Sequence, residues 1–424
     1  MDSPEIDEGT NYIGFREALG LVDSNVHPVG VDEVTLDQCV GRIVAEDLVA
    51  LVNNPSGDVS LKDGFAVKSE DVVRASSQQP VRLRVIGSVF AGAQFEGTVS
   101  PGSAVKICSG SPIPLGADAV VSDEFCEEVS AEVYIRADAE CGRNILRAGE
   151  DIKTGAVIAE KGKALLPGSV GLMAAAGVQY VKAYRRPRVT VVAVGDEVVA
   201  PGGHLHPGQL YASNLVTIGA WLASFGIPYD TAVVGDNEED IRQELLERLP
   251  SADAIITSGG AWGSERDLVV GTVDNLGWYK IFHHVRMGPG KGIAFGLWQD
   301  KPVFCLPGGP ASNEMAFLQF TLPGILRMGG RKEHPLQTVS ARLTQRVEGR
   351  HPAWTEFKDA MLSHDSEGNY LVTPYYNRSR LQSIASATCL ICLPEGSEPL
   401  QAGEFVAVQV LAPTSGGLPS IDQG

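Results

Sequence analysis

Short apolar runs alternate with helical repeats along residues 188–330. Each predicted strand is a β-branched apolar run that stops at glycine, which favours a buried strand over a helix. The four strands are predicted in RVTVVAVGDEV, TAVVGDNEED, SADAIITSGG and KPVFCLPGGP. Between and after them, helices are predicted in SNLVTIGAWLASF (with Ser213 or Asn214 as its cap), EEDIRQELLERL, the stretch from Asp267, and ASNEMAFLQFTLPGIL. This succession predicts a largely parallel sheet with helices on both faces.

Polar loops follow the carboxyl ends of the four predicted strands. In open parallel sheets, ligands bind beyond these strand ends, so the loops are expected to share one edge and form a site. The loops are Gly195-Asp196-Glu197, Gly235-Asp236, Thr257 to Gly260, and Leu306 to Pro310. Glycine lets a backbone N–H approach a ligand closely, so the glycine pairs 259–260 and 308–309 suit phosphate or another oxyanion.

The flanking sequence has a different pattern. Residues 12–22 predict an amphipathic helix, and 54–152 hold alternating apolar segments broken by Gly and Pro, which predict a β-rich insertion. From about 331 the β pattern returns and predicts a small barrel or sandwich. The predicted domains are 1–53 plus 153–184 as a linking domain, 54–152 as the insertion, 185–330 as the α/β domain, and 331–424 as the C-terminal β domain.

Composition and charge argue against several classes of function. The 424 residues carry a formal net charge of −18, which argues against non-specific binding to nucleic acid or anionic lipid. The acidic first residues indicate no signal peptide, and no apolar run reaches the length of a membrane span. Seven dispersed cysteines suggest reduced thiols and a cytoplasmic location. Cys389 and Cys392 lie in an apolar run and are interpreted as a buried structural pair.

The loops combine carboxylates with anion-binding features. A site that holds both usually needs a divalent cation, and Mg²⁺ is the natural choice for oxygen ligands and phosphates. Lys291 and Arg286 add positive charge nearby in sequence. No zinc motif, Ser/His/Asp arrangement or Walker A loop is visible. The acids of these loops are Asp63, Asp151, Asp196, Glu197, Asp236 and Asp267.

Several motifs together resemble those of the MoeA family, which includes the E domain of gephyrin-type proteins. Asp63-Gly64-Phe65-Ala66 matches the family's DGYA, and CSGSPIPLGADAVV matches its TGAxxPxGADAVV. Further matches along residues 12–411 are GRNILRAGEDI, VGDEVVAPG, GQLYASN, TSGGAWGSERD, PGKGIAFG, LPGGPAS and ATCLICLP. The α/β domain alone is shared with other molybdopterin-binding proteins, whereas the two loops of the inserted domain are specific.

The resemblance implies an elongated, multi-domain α/β and β subunit that forms a homodimer. The implied reaction inserts molybdate into adenylylated molybdopterin and releases AMP in a Mg²⁺-dependent step. Its site would lie between the α/β domain of one subunit and the inserted domain of the other. The catalytic residues carried over are Asp63, Ser109, Asp151, Glu197, Asp236 and Asp267, of which Glu197, Asp236 and Asp267 would hold the metal. The residues carried over for cofactor binding are Thr257, Ser258, Gly259, Gly260, Lys291, Pro307 and Gly308. Other molybdenum cofactor proteins are possible partners.

The sequence also departs from the family's usual motifs. Ser109 replaces a threonine, and the oxyanion loops have lost one lysine and one asparagine amide. The altered stretches are Ala261-Trp262-Gly263-Ser264, Gly288 to Gly292, Leu306 to Pro310, and Asn377-Arg378-Ser379-Arg380. Arg286 is a candidate to replace the missing charge. These changes leave two alternatives open: a non-catalytic molybdopterin-binding or scaffolding homologue, or a paralogue that prefers tungstate.

Overall fold

The structure is a computed structural model that describes residues 12–259, 268–376 and 379–411. The chain forms two compact units. The first takes in the described residues through 32, residues 41–45, and those from 183 onward, and the second takes in residues 33–40 and 46–182. The predicted division into four domains stays a prediction.

The elements along residues 12–187 are mostly short strands. They are α1 (Phe15–Asn25), β1 (Val31–Thr35), β2 (Leu48–Val49), β3 (Val59–Ser60), β4 (Gly64–Val67), α2 (Ser69–Val72), β5 (Val81–Val89), β6 (Ser103–Ile107), β7 (Ala119–Ser122), β8 (Cys126–Val129), β9 (Glu132–Ile135), β10 (Ile145–Leu146), β11 (Val157–Ala159), α3 (Pro167–Ala175) and β12 (Tyr180–Tyr184). Six of these strands build a half-barrel sheet in the second unit, in the order β7-β4-β6-β5-β9-β8. The predicted β-rich insertion is therefore confirmed as a fold element.

Residues 188–330 form the mixed α/β part of the first unit. The elements are β13 (Val189–Val194), β14 (Val198–Val199), β15 (Leu210–Tyr211), α4 (Ser213–Ser224), β16 (Tyr229–Val234), α5 (Glu238–Arg248), β17 (Ala254–Ser258), α6 (Leu268–Asn275), β18 (Tyr279–His283), β19 (Met287–Gly288), β20 (Ala294–Trp298), β21 (Lys301–Leu306), α7 (Pro310–Ala316) and α8 (Leu322–Met328). The main sheet has the order β16-β13-β17-β21-β20-β18. The four strands from β16 to β21 are parallel to one another, β20 pairs antiparallel with β21, and β18 pairs antiparallel with β20. The predicted parallel sheet is confirmed, with an antiparallel edge added.

Alternate faces of this sheet carry separate cores, because successive side chains of a strand point to opposite sides. In β17, Ile256 packs in a core with residues of α4 and α7, whereas Ile255 packs in a core with residues of α5 and α6. Ser258 therefore faces α4 and α7, and Thr257 faces the opposite side.

A π-helical turn, Phe317–Thr321, joins α7 to α8. Pro323 lies at the start of α8 and has no N–H to donate to the carbonyl four residues earlier, which accounts for the widened turn. The single helix predicted for residues 311–326 is therefore present but interrupted.

The C-terminal elements are β22 (Thr338–Leu343), β23 (Thr355–His364), β24 (Tyr370–Pro374), α9 (Arg380–Ser386), β25 (Cys389–Leu393) and β26 (Phe405–Val410). The sheet order β23-β24-β22-β26-β25 closes because β23 also pairs with β25, giving a five-stranded barrel. Cys389 is buried in the barrel core, while Cys392 lies on the other face of β25 and is half-buried. Burial raises the pKa of Cys389 to about 12 and that of Cys392 to about 11. Neither thiol is suited to redox chemistry.

None of the described helices is long and apolar enough to cross a membrane.

Candidate active site

The polar loops of the α/β part lie at one edge of its sheet. Ser258 is in register with Ala193 and with Leu306, so β13, β17 and β21 end side by side. The loop of residues 284–293 reaches the same edge, because Ala294 at the start of β20 pairs with Cys305 near the end of β21. The expected convergence of the loops after these strands is therefore present in the structure.

Two carboxylates tie the loops after β13 and β16 together. The Asp236 N–H donates to Asp196 Oδ1 at 3.0 Å, and the Asp196 N–H donates to Asp236 Oδ2 at 3.4 Å. A side chain at Gly235 would meet Asp196 Oδ1 at 2.7 Å, and one at Gly195 would meet Glu197 Oε2 at 2.6 Å. The two glycines therefore leave room for the carboxylates to fold over the backbone. All three acids are exposed.

Gly259 has a structural role that differs from the expected one. Its φ is +103°, and a Cβ at this position would lie 2.3 Å from the Val194 carbonyl oxygen, so no other residue fits. Its N–H donates to the Leu306 carbonyl at 3.1 Å. The prediction that the Gly259 N–H would bind a ligand is therefore wrong, because the sheet already uses that donor.

The two hydroxyl residues before Gly259 are in different environments. Thr257 is fully buried, and its Oγ1 has no hydrogen-bond partner among the described residues. Ser258 is 5% exposed. Its Oγ accepts from Asn214 Nδ2 at 3.2 Å and from Asn313 Nδ2 at 3.0 Å.

The same two amides also hold the loop after β21. Asn214 Nδ2 donates to the Gly308 carbonyl at 2.8 Å, and Asn313 Nδ2 donates to the Pro307 carbonyl at 2.9 Å. The predicted cap of α4 is wrong. Ala212 occupies the cap position without a side-chain hydrogen bond, and both Ser213 and Asn214 lie inside the helix. The Asn214 side chain is used instead to join α4 to the ends of two strands.

The basic residues near this edge do not all face it. Lys291 Nζ lies 5.9 Å from the centre of the Trp354 ring, a cation–π contact in the loop of residues 284–293. The Arg286 guanidinium donates to the Tyr12 carbonyl at 2.8 Å and pairs with Glu395 at 3.5 Å. Arg286 thus anchors the segment just before α1. Its guanidinium is therefore a poor candidate to replace the charge of the lost lysine. Burial, with Lys291 adding to it, lowers the pKa of His284.

Two of the three candidate residues of the second unit, Asp63 and Ser109, are in contact. Asp63 Oδ1 accepts from the Ser109 N–H at 2.7 Å, and Ser109 Oγ donates to the Leu61 carbonyl at 3.3 Å. Asp151 is exposed, and its N–H donates to the Asn54 carbonyl at 3.1 Å. Asp63 and Ser109 are thus brought together as one pair.

The metal prediction rests partly on residues that the structure does not describe. Asp267, Gly260 and Trp262 lie outside the described residues. Within the described ranges, no group of three or more His, Cys, Asp or Glu side chains could hold a metal. The carboxylates that the sheet edge does offer are hard oxygen donors. They suit Mg²⁺, which is usually held by one or two carboxylates together with substrate phosphates.

Three site residues escaped the sequence-based predictions of roles. Asp196 was noted only as one acid among several, although it is hydrogen-bonded to Asp236. Asn214 was interpreted as a helix cap, and Asn313 as part of an ordinary helix. The unusual feature of Asn313 is that its polar side chain is only 1% exposed, and no spacing in the sequence reveals this burial.

Comparison with known proteins places this arrangement in one family. The MoeA N-terminal region (domains I and II) matches residues 13–177, a probable molybdopterin binding domain matches 190–327, and the MoeA C-terminal region (domain IV) matches 341–411. The chain is 30% identical to the molybdopterin molybdenumtransferase of Staphylococcus aureus over 405 residues, which is 95% of this chain and 96% of that protein. It is 30% identical to the molybdopterin molybdenumtransferase of Haemophilus influenzae over 390 residues, or 90% and 94% of the two chains.

A solved structure agrees with these relatives. The molybdopterin biosynthesis MoeA protein from Pyrococcus horikosii superposes with a TM-score of 0.80 at 32% identity, covering 94% of this chain and 99% of that one. The half-barrel sheet, the mixed α/β part and the closed C-terminal barrel are thus the parts of a known fold. On the strength of this end-to-end similarity and of the loops at the sheet edge, the chain belongs to the MoeA family of molybdopterin molybdenumtransferases.

Proposed function

We propose that this protein inserts molybdate into adenylylated molybdopterin and releases AMP in a Mg²⁺-dependent step. The observation that carries the proposal is the convergence of carboxylates and polar loops at one sheet edge, in a chain similar over 95% of its length to a named molybdopterin molybdenumtransferase. Water hydrolyses the phosphoanhydride bond that joins AMP to the molybdopterin phosphate, AMP leaves, and molybdopterin takes up the metal oxyanion.

The acids at the sheet edge are proposed to hold Mg²⁺. Glu197 and Asp236 offer exposed carboxylates, and Asp267 is assigned to the same set from its motif. Mg²⁺ would neutralise charge on the phosphate and orient water, which is the usual contribution of this ion to phosphoryl chemistry. The reciprocal hydrogen bonds with Asp196 keep the Asp236 carboxylate in a defined orientation.

The substrate is proposed to bind along the ends of β17 and β21. Ser258 supplies a hydroxyl, and Gly259, Pro307 and Gly308 let a ligand approach the backbone closely. Thr257 and Gly260 are assigned to the same loop from its motif alone, since the Thr257 hydroxyl is buried on the other side of the sheet. Lys291 supplies positive charge, and its contact with Trp354 restricts where its ammonium group lies. Donors fixed in this way stabilise charge that develops on a phosphate without reorganising.

The protein is also proposed to act as a homodimer in which Asp63, Ser109 and Asp151 come from the partner subunit. Support for association is an apolar surface in the second unit, which we call the α3 face. Met173 is the only buried residue of α3, so most of this apolar helix is exposed. The exposed apolar residues on and around it are Val49, Leu51, Val52, Val157, Leu166 and Leu172. Exposed apolar clusters of this kind mark association surfaces.

A cytoplasmic location is proposed as well. All seven cysteines lie in the described ranges and none of them forms a disulfide, as expected in a reducing compartment.

The assigned roles are tested by AMP release from purified protein with adenylylated molybdopterin, magnesium and molybdate. Asp63→Ala or Asp267→Ala is expected to abolish release, because each removes a carboxylate assigned to the site. Asp274→Asn is the control, since Asp274 pairs with Lys280 on the surface. AMP release that survives both site changes would refute the assigned roles.

A second candidate function is a non-catalytic molybdopterin-binding or scaffolding protein. It is favoured by glycine at positions 288 and 309, where the family usually has lysine and asparagine, and by the use of Arg286 elsewhere. Binding of molybdopterin without turnover in the presence of molybdate would select this function. A preference for tungstate over molybdate is the remaining alternative.

A further inference from the structure

The hydrogen bonds around Ser258 determine which way its hydroxyl can donate. Asn214 Nδ2 and Asn313 Nδ2 lie 2.8 Å and 2.9 Å from the carbonyl oxygens of Gly308 and Pro307. A backbone carbonyl has no proton and only accepts, so the NH₂ group of each amide must be the atom that faces it. The orientation of both amides is therefore set by the backbone.

Each NH₂ group has a second hydrogen, and both second hydrogens point at Ser258. The two nitrogens lie 3.2 Å and 3.0 Å from its Oγ. A serine oxygen has two lone pairs and one hydrogen. Since both lone pairs are used by the amides, the hydroxyl hydrogen is left to donate. Among the described residues it has no acceptor.

The loop after β21 carries two further donors without acceptors. The N–H groups of Gly308 and Gly309 donate to no acceptor in the described ranges. The Gly308 carbonyl is linked to Ser258 through Asn214, so the loop that carries these donors is joined to the hydroxyl. A nearly buried donor without an acceptor is costly, and an anionic oxygen offers the strongest compensation.

We infer that the Ser258 hydroxyl donates a hydrogen bond to an anionic oxygen of the substrate and accepts none from it. Asn214 and Asn313 are the positioning residues, because their amides occupy both lone pairs of the serine oxygen. The inference rests on the proposed function. It adds the class of group recognised at this point, a tetrahedral oxyanion, which is either a phosphate of the nucleotide substrate or molybdate itself.

Measuring the binding of small anions to the full-length protein distinguishes phosphate from molybdate as the group that Ser258 recognises. The probes are AMP, adenosine and molybdate, each measured by calorimetry. Ser258→Ala is expected to weaken binding roughly tenfold or more for the anion that the hydroxyl recognises, which is typical of a hydrogen bond to a charged group. If phosphate is the source, AMP binding weakens and adenosine binding does not. If molybdate is the source, molybdate binding weakens.

A double-mutant cycle tests the positioning role. Asn214→Leu or Asn313→Leu keeps most of the side-chain volume but frees a lone pair of Ser258 and a backbone carbonyl. The hydroxyl is then no longer held in one orientation, so anion binding is expected to weaken in the same direction as in Ser258→Ala. In the Ser258→Ala background the same changes should add little further loss. The matched control is Ser251→Ala, because Ser251 Oγ donates only to the Arg248 carbonyl at 3.1 Å near the start of the same strand.

Three results would overturn the inference. They are unchanged anion binding in Ser258→Ala, an equal loss on changing the asparagines in both backgrounds, and no anion binding by the unaltered protein. The equal loss would mean that the asparagines only anchor the loop. The AMP-release assay judges the proposed reaction separately, since turnover without a Ser258 effect would leave that reaction standing.

Discussion

Glu314 is a half-buried acid next to Asn313, at the point where α7 meets α4. Its Oε1 accepts from Trp221 Nε1 at 3.2 Å. Burial is the main cause that raises its pKa from 4.5 to about 6, and the nearby Asp359 adds to the rise. Between these two pH values the native state keeps a proton that the unfolded chain has lost. The free energy of unfolding should therefore fall as pH rises from 4.5 to 6 and stay lower above that range.

Glu314→Gln removes this dependence. A shift of this size corresponds to about 2 kcal/mol, so the variant should be more stable than the unaltered protein by up to that amount at pH 7 and equal to it at low pH. Urea unfolding from pH 4 to 8 measures the difference. Glu247→Gln is the control, because Glu247 is exposed on α5. A stability difference that does not change with pH would contradict the assignment.

At the scale of the element, the end of β17 depends on one glycine. Gly259→Ala would place a methyl group 2.3 Å from the Val194 carbonyl oxygen at a φ of +103°. We expect a loss of about 2 kcal/mol or more in the free energy of unfolding, because both the contact and the backbone are strained. Gly271→Ala lies inside α6 with nothing within 4 Å and should instead stabilise by about 0.5–1 kcal/mol. Equal effects at the two positions would refute the role of Gly259.

The strands and helices were predictable from the sequence where burial determines the order of apolar and polar residues. β13 and β17 are buried along their whole length, and their unbroken apolar runs showed this. The antiparallel edge of β20 and β18 was not predictable, because apolar runs carry no strand direction. The π-helical turn arises from packing around Pro323, and the sequence predicted a continuous helix there.

Site residues in loops that directly follow a strand were predictable from the sequence. Site residues that a helix contributes were not. Asp236 and Ser258 follow directly from their place at strand ends. Asn214 and Asn313 act across the sheet edge through hydrogen bonds between parts of the chain 44 and 55 residues apart. Such contacts leave no local pattern in the sequence. The role of Gly259 was misjudged for the same reason, since its N–H is used by a neighbouring strand.

At the scale of the whole molecule, the α3 face predicts association. Leu172→Glu places a charge on the exposed apolar helix and should convert the proposed homodimer into monomers, because burying an unpaired charge at an interface is costly. Sedimentation velocity measures the change. Leu381→Glu on α9 is the control, since Leu381 is an exposed leucine in the first unit. A dimer that persists in Leu172→Glu would exclude the α3 face as the interface.

This chain is proposed to carry out the reaction named for its relatives. The most direct measurement is AMP release from adenylylated molybdopterin by the purified, unaltered protein, with molybdate and with tungstate side by side, each with and without magnesium. We expect AMP release that requires both magnesium and molybdate. Binding of molybdopterin with no AMP release under any of these conditions would contradict it.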